Sequence, residues 1–212
     1  MLKQLKPAII SVLVFTVLCG LVFPFVITGI AQVIFPHQAN GSLIEKDGKV
    51  IGSELIGQAF SRPGYFHPRP SAAGAGYDAA NSSGTNLGPT SAKLINGIHN
   101  KLPDGSDDPG NFSGIADLAA AYREENGMAK DALVPADAVT RSASGLDPHI
   151  SPANAELQSA RVAKERHVPT EVVRHLVELH TEGLTFGLLG EPRVNVLLLN
   201  LALDSLEKAA SL

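Results

Sequence analysis

Ala8–Phe35 reads AIISVLVFTVLCGLVFPFVITGIAQVIF, and this stretch decides the architecture of the chain. Its 28 residues include no Asp, Glu, Lys, Arg or His. At ~1.5 Å rise per residue a helix of this length covers roughly 42 Å, more than the ~30 Å hydrocarbon core of a bilayer. A cleaved signal peptide is one competing reading, with Lys3 and Lys6 as the basic region and Gly29-Ile30-Ala31 as the cleavage site. The apolar part of a signal peptide runs about 7–15 residues, roughly half of what stands here. A buried core helix is the other, and such helices are rarely apolar on every face for so long. A transmembrane helix over residues 8–35 is therefore expected. Pro24, one turn after Gly20, removes a helical hydrogen bond and predicts a kink. Ser11, Thr16, Cys19, Thr28 and Gln32 face either partner helices or their own backbone.

Charge sets the orientation. Residues 1–7 carry Lys3, Lys6 and the amino terminus, whereas the far side has no Lys or Arg until Lys46. The positive-inside rule makes residues 1–7 a cytoplasmic tail and residues 36–212 an extracytoplasmic domain of a single-pass protein. Without Lys3 and Lys6 that domain holds 15 basic against 21 acidic side chains, about −6 in net charge. This argues against nucleic acid and against tight binding to anionic lipid. Cys19 is the only cysteine and lies in the span, so a disulfide within one chain is excluded.

Beyond the span, Asp47-Gly48 between two apolar runs predicts a β-hairpin. From Ser61 to Pro89, Gly, Pro, Ser and Asn dominate, and an ordered irregular surface segment is expected. Helices are expected within Thr90–Leu102, Ile115–Asn126, Pro135–Arg141, Ala153–Arg166 and Pro169–Glu182. Leu184–Leu189 reads as extended, and Gly190-Glu-Pro as the start of a last helix whose Val194–Leu203 run lies central to the core. The sum is one mixed α+β domain after one transmembrane helix.

Catalytic patterns are weak. Asp147, His149 and Ser151 are the residue types of a triad, but neighbours two apart are poorly placed for a relay, and Ser151 before Pro152 reads as a helix N-cap. His175 and His180 differ by five positions, which leaves their rings about 140° apart on a helix, with one exposed and one half-buried. Asp104, Asp107 and Asp108 lack the spacing of a calcium loop, and Gly84-Thr-Asn-Leu-Gly-Pro-Thr-Ser lacks the Lys of a phosphate loop. A stand-alone membrane-tethered binding module or hydrolase is the alternative to a non-catalytic subunit.

Ordered motifs along nearly the whole chain resemble one family. They are Gly52-Ser-Glu-Leu-Ile-Gly-Gln58, Tyr65-Phe66 with Arg69-Pro-Ser71, Tyr77-Asp78, Ser82-Ser-Gly-Thr-Asn-Leu-Gly-Pro89, Ser144-Gly-Leu-Asp-Pro-His-Ile-Ser151, Arg161-Val-Ala163, Leu189-Gly-Glu-Pro-Arg-Val-Asn-Val196 and Leu199-Asn-Leu-Ala-Leu203. The chain so resembles the C subunit of the bacterial Kdp potassium-transporting P-type ATPase, the KdpC family. The acidic segment Asp104–Gly110 is not part of that pattern. The resemblance implies an accessory subunit in the bacterial inner membrane, beside a channel-like potassium-binding subunit, which handles K⁺, and a P-type ATPase subunit. It further implies a catalytic chaperone that raises the ATP affinity of the pump subunit, with Gln158 as the nucleotide contact. Cytoplasmic ATP and an extracytoplasmic Gln158 stand on opposite sides of the membrane. With the domain outside, Tyr65, Phe66, Arg69, Tyr77, Asp78, Asn86, Asp147 and His149 are candidate docking residues, the segment Arg62–Pro89 carrying most of them.

Overall fold

The apolar stretch folds as one helical run in the computed structural model, which describes residues 2–210. Leu5–Ile34 is 30 residues long and contains an 18-residue window with a mean hydropathy of 2.7, enough to cross a membrane, and no other helix among the described residues is. It comprises α1 (Leu5–Val17), one π turn (Leu18–Val22) and α2 (Phe23–Ile34). The irregularity expected at Pro24 takes the form of that wide turn. Pro24 has no N–H to give the carbonyl one turn back, and the backbone relaxes into i→i+5 pairing just before it. Phe35 leaves the helical region (φ −132°, ψ 55°), as a residue preceding proline tends to, and Pro36 opens the short α3 (Pro36–Ala39).

Two compact units meet at the Ser53–Glu54 peptide. The first unit holds the helical run and the predicted hairpin. β1 (Leu43–Lys46) pairs antiparallel with β2 (Lys49–Ser53). Asp47 and Gly48 both have positive φ, 52° and 72°, the geometry of a tight type I′ turn. Gln32 and Asn40 exchange two side-chain amide bonds of 3.3 Å, and Ser53 Oγ donates to the Gly41 carbonyl at 2.7 Å.

The second unit is α+β, as expected. Its chain begins with a long segment free of helix and strand over residues 57–90. α4 (Ala92–Asn96) is shorter than expected, because Gly97 at φ 81° ends it and Ile98 then pairs with Phe112. There follow α5 (Ile115–Glu125), α6 (Ala136–Val139), β3 (His149–Ile150), α7 (Pro152–Glu165), α8 (Thr170–Leu179), β4 (Thr181–Glu182), β5 (Arg193–Asn195) and α9 (Val196–Ala210). The three strands form an antiparallel sheet in the order β3-β5-β4. Ser151 caps α7 as expected, its Oγ accepting the Asn154 N–H at 3.1 Å.

Two expectations fail at the C-terminal end. Leu184–Leu189 is a turn rather than extended chain, closed by a bridge between Thr185 and Leu189. Gly190-Glu-Pro does not open the last helix. The centre of the sheet claims Arg193–Asn195 first, and α9 starts at Val196 with Asn195 Oδ1 accepting the Leu198 N–H at 3.2 Å. The central role of this region does hold. Val194, Val196, Leu199 and Leu203 join Phe66, Ile150, Val162 and Val173 in the core, and Tyr122, Ala138 and Val139 make a second cluster.

Candidate functional site

The irregular segment has no ladder of its own, so its backbone groups need partners from elsewhere. Two helices supply them through side-chain amides. Asn200 of α9 accepts the Phe66 N–H at 2.9 Å and donates to the Phe66 carbonyl at 2.9 Å. Gln158 of α7 does the same to the next residue, accepting the His67 N–H at 2.7 Å and donating to the His67 carbonyl at 3.0 Å. Each amide imitates one rung of a β-ladder. They act on consecutive residues.

The remaining capacity of Gln158 is also used. Its Nε2 donates to Asn154 Oδ1 at 2.9 Å and its Oε1 accepts from Arg161 Nη2 at 2.8 Å. The residue is 1 % exposed. Gln158 is therefore an internal clamp, and a nucleotide could reach its amide only after His67 had let go. Asn154, one turn earlier on the same face, accepts from the Tyr122 hydroxyl at 2.9 Å and donates to Asp137 Oδ2 at 2.9 Å. Burial, reinforced by Asp137, raises the Tyr122 phenol well above its ordinary range, so it stays a neutral donor.

Arginines fix the start of the segment. Arg161 donates to the carbonyls of Pro63 and Tyr65, and Arg166 to that of Gly64 at 2.5 Å. The Tyr65 ring lies between guanidinium groups, with Arg62 at 4.7 Å and Arg166 at 4.5 Å from its centroid. Its hydroxyl donates to Asp204 at 3.0 Å, and Asp204 pairs with Arg166 at 2.9 Å. His67 completes this end. Its Nδ1 lies 2.7 Å from Glu125 Oε1, and that hydrogen bond, aided by His67 charge, holds the Glu125 carboxyl below its ordinary range against the opposing effect of burial.

Further along, four of the expected docking residues come together. Arg69 Nη1 donates to Asp147 Oδ2 at 3.0 Å, and Asp147 Oδ1 accepts the His149 backbone N–H at 3.0 Å and faces His149 Nδ1 at 3.2 Å. The Tyr77 hydroxyl donates to the Arg69 carbonyl at 2.8 Å, and burial raises that phenol. Burial also acts to raise the Asp147 carboxyl, but the His149 bonds and the Arg69 charge outweigh it and leave it lowered. All four side chains are half-buried.

The other candidates lie apart. Phe66 is 0 % exposed, a core side chain rather than a surface anchor, because Asn200 draws its backbone inward. Asp78 serves its own turn, accepting from Ala80 N–H and Asn81 Nδ2. Asn86, at φ 54°, lines a cavity of about 330 Å³ with Thr85 and Arg141. Asp147, His149 and Ser151 form no relay, since Ser151 Oγ donates to Asp137 Oδ1 at 2.9 Å. His175 is exposed and His180 half-buried, as their angle implied.

Sequence reasoning did not single out Asn154, Arg166 or Asn200 as clamps. The one signal was compositional: Asn195 and Asn200 interrupt an otherwise apolar run, and a polar side chain in such a place must find a buried partner.

Comparisons with known proteins agree with these motifs. A family model described as "KdpC: K+-transporting ATPase, c chain" matches residues 5–205. A Mycobacterium tuberculosis protein called "Potassium-transporting ATPase KdpC subunit" is 52% identical over 206 residues, covering 97% of this chain and 100% of its own. Proteins of the same name from Koribacter versatilis (52% over 204 residues, 96% and 95% covered) and Caulobacter vibrioides (52% over 207 residues, 97% and 94%) are similar along their length. Matched from the first turn of its span to its last core helix, the chain belongs to the KdpC family and is a subunit of a potassium-transporting ATPase.

Proposed function

We propose that this subunit regulates the pump from the outer face of the membrane, without chemistry of its own. In this reading the N-terminus lies in the cytoplasm and the α+β domain outside, an orientation that the basic tail favours. The domain docks on a channel-like, K⁺-handling subunit and on the P-type subunit through the half-buried Arg69–Tyr77–Asp147–His149 group. It raises the ATP affinity of the P-type subunit at a distance, as a catalytic chaperone. Gln158 carries the reading: an amide whose every bond is spent on its own domain shapes a surface and leaves nothing for a nucleotide.

Cys19 is the only cysteine, so a Cys19→Ser background with Ala160→Cys, an exposed position two residues from Gln158, gives a single reporter. In intact cells an impermeant maleimide is expected to label it from outside. Protection that ends on lysis would place the domain in the cytoplasm, on the side of ATP, and overturn regulation from the outer face. In the purified complex, the ATP concentration for half-maximal turnover is expected to rise when this chain is absent, and an unchanged value would reduce the chain to a scaffold.

A further inference from the structure

The turn between β4 and β5 reads Gly183-Leu-Thr-Phe-Gly-Leu-Leu-Gly190 and carries no charge. Phe186 is 90 % exposed and Leu188 84 %, with Leu184 and Leu189 exposed beside them. Single apolar side chains on a surface need no explanation, but four within six residues do. Phe186 also holds φ 54°, a region costly for an aromatic residue.

The backbone of this turn is closed on itself. Thr185 N–H donates to Leu189 O at 2.8 Å and Leu189 N–H returns to Thr185 O at 3.0 Å. Gly187 N–H donates to Leu184 O at 3.0 Å and Leu188 N–H to Thr185 O at 3.2 Å. A protein pocket can complete unpaired backbone groups, whereas hydrocarbon cannot. These four bonds lower the cost of bringing the turn into an apolar medium.

Connectivity supplies the second argument. In the first unit, Gln32 in the last turn of the span is bonded to Asn40, and the neighbouring Gly41 accepts from Ser53. The chain thus leaves that unit close to the end of the span. In the second unit, Glu54 accepts from Asn195 Nδ2 at 2.8 Å. Asn195 is two residues from Arg193, which pairs with Glu182 at 2.8 Å across the base of the turn. The apolar turn therefore rises from the part of its own unit where the chain enters it, just after Ser53.

We propose that Leu184, Phe186, Leu188 and Leu189 enter the interfacial layer of the bilayer that holds the span, making a second, reversible membrane contact. The occupant is lipid. The turn has no Lys or Arg to bind anionic headgroups, so uncharged phosphatidylcholine serves as well as acidic lipid, and the Glu182–Arg193 pair stays at headgroup level. The proposal rests on reading Leu5–Ile34 as a membrane span.

The chain has no tryptophan, so Phe186→Trp installs a single fluorophore at an exposed site that the fold does not use. The full chain is reconstituted in phosphatidylcholine vesicles with and without lipid brominated on its acyl chains. Flotation with the vesicles checks the span independently. The expected result is blue-shifted indole emission from the Phe186→Trp chain that loses most of its intensity to brominated lipid. Leu133→Trp, at a position 91 % exposed in a different loop, is expected to emit as in water and to ignore the bromine. Vesicle-bound Phe186→Trp protein with water-like emission overturns the proposal. So does a blue shift that brominated lipid leaves unquenched, since a second copy or another protein then covers the turn. A chain that fails to float overturns the span reading and this inference with it.

Discussion

At the scale of single residues, one amide group decides the shape of a whole segment. Gln158 satisfies both backbone groups of His67 and closes on Asn154 and Arg161. Gln158→Ala would take from the His67 N–H and carbonyl the amide that satisfies both, at roughly 1–3 kcal/mol for each desolvated group before relaxation. We expect a loss of about 2–4 kcal/mol in denaturant unfolding of the detergent-solubilised chain, large for a single substitution. Arg174→Ala, which removes exposed pairs with Glu156 and Glu171, is expected to cost under about 1 kcal/mol. Equal effects of the two changes would refute the clamp.

Among elements, the irregular segment is seated by contact rather than by periodicity. Ser83 N–H donates to Ser144 O at 3.0 Å and Ser71 Oγ to Gly145 O at 2.6 Å, so two loops zip together. Gly145 has φ 67°, and a Cβ there would stand 2.6 Å from Ser83 O and 2.7 Å from Ala73 N. Gly145→Ala is expected to lower the thermal midpoint sharply. Gly48→Asn, at φ 72° with open space around it, should leave it nearly unchanged, because Asn tolerates the left-handed region. Two similar midpoints would mean that the loops do not depend on this seat.

The same elements explain what could be read in advance. The span, the Asp47-Gly48 hairpin and the Ser151 cap are local: composition, turn chemistry or capping within a few residues dictates each. The amide clamps join positions 91 and 134 residues apart, and no periodic signal reports such a pairing. The failure at Leu184–Leu189 has a related cause. An apolar run ordinarily means burial, and here the apolar side chains point out while the backbone pairs with itself. Of the site, Arg69, Tyr77, Asp147 and His149 were legible as informative residues, but their meeting in one group was not.

For the whole molecule, acid is expected to loosen the domain. Glu125 and Asp147 both have carboxyls held below their ordinary range. Each therefore adds stability at any pH above its unfolded-state value of about 4, and loses it as pH falls through the lower folded-state value. Near-ultraviolet circular dichroism should report loosening of tertiary structure below about pH 4. Glu125→Gln should flatten the acid limb of that curve, and a signal steady down to about pH 3 would contradict the assignment of these two groups.

The wide turn at Leu18–Val22 has a consequence for assembly. One turn of π pairing admits an extra residue, and an extra residue advances the phase of everything after it by about 100°. A stripe of side chains that starts along α1 does not continue along α2 but resumes on a different flank. The two halves of the helical run therefore present different flanks. A single helix can thereby hold two unlike neighbours at once, as a key cut on two edges fits two wards.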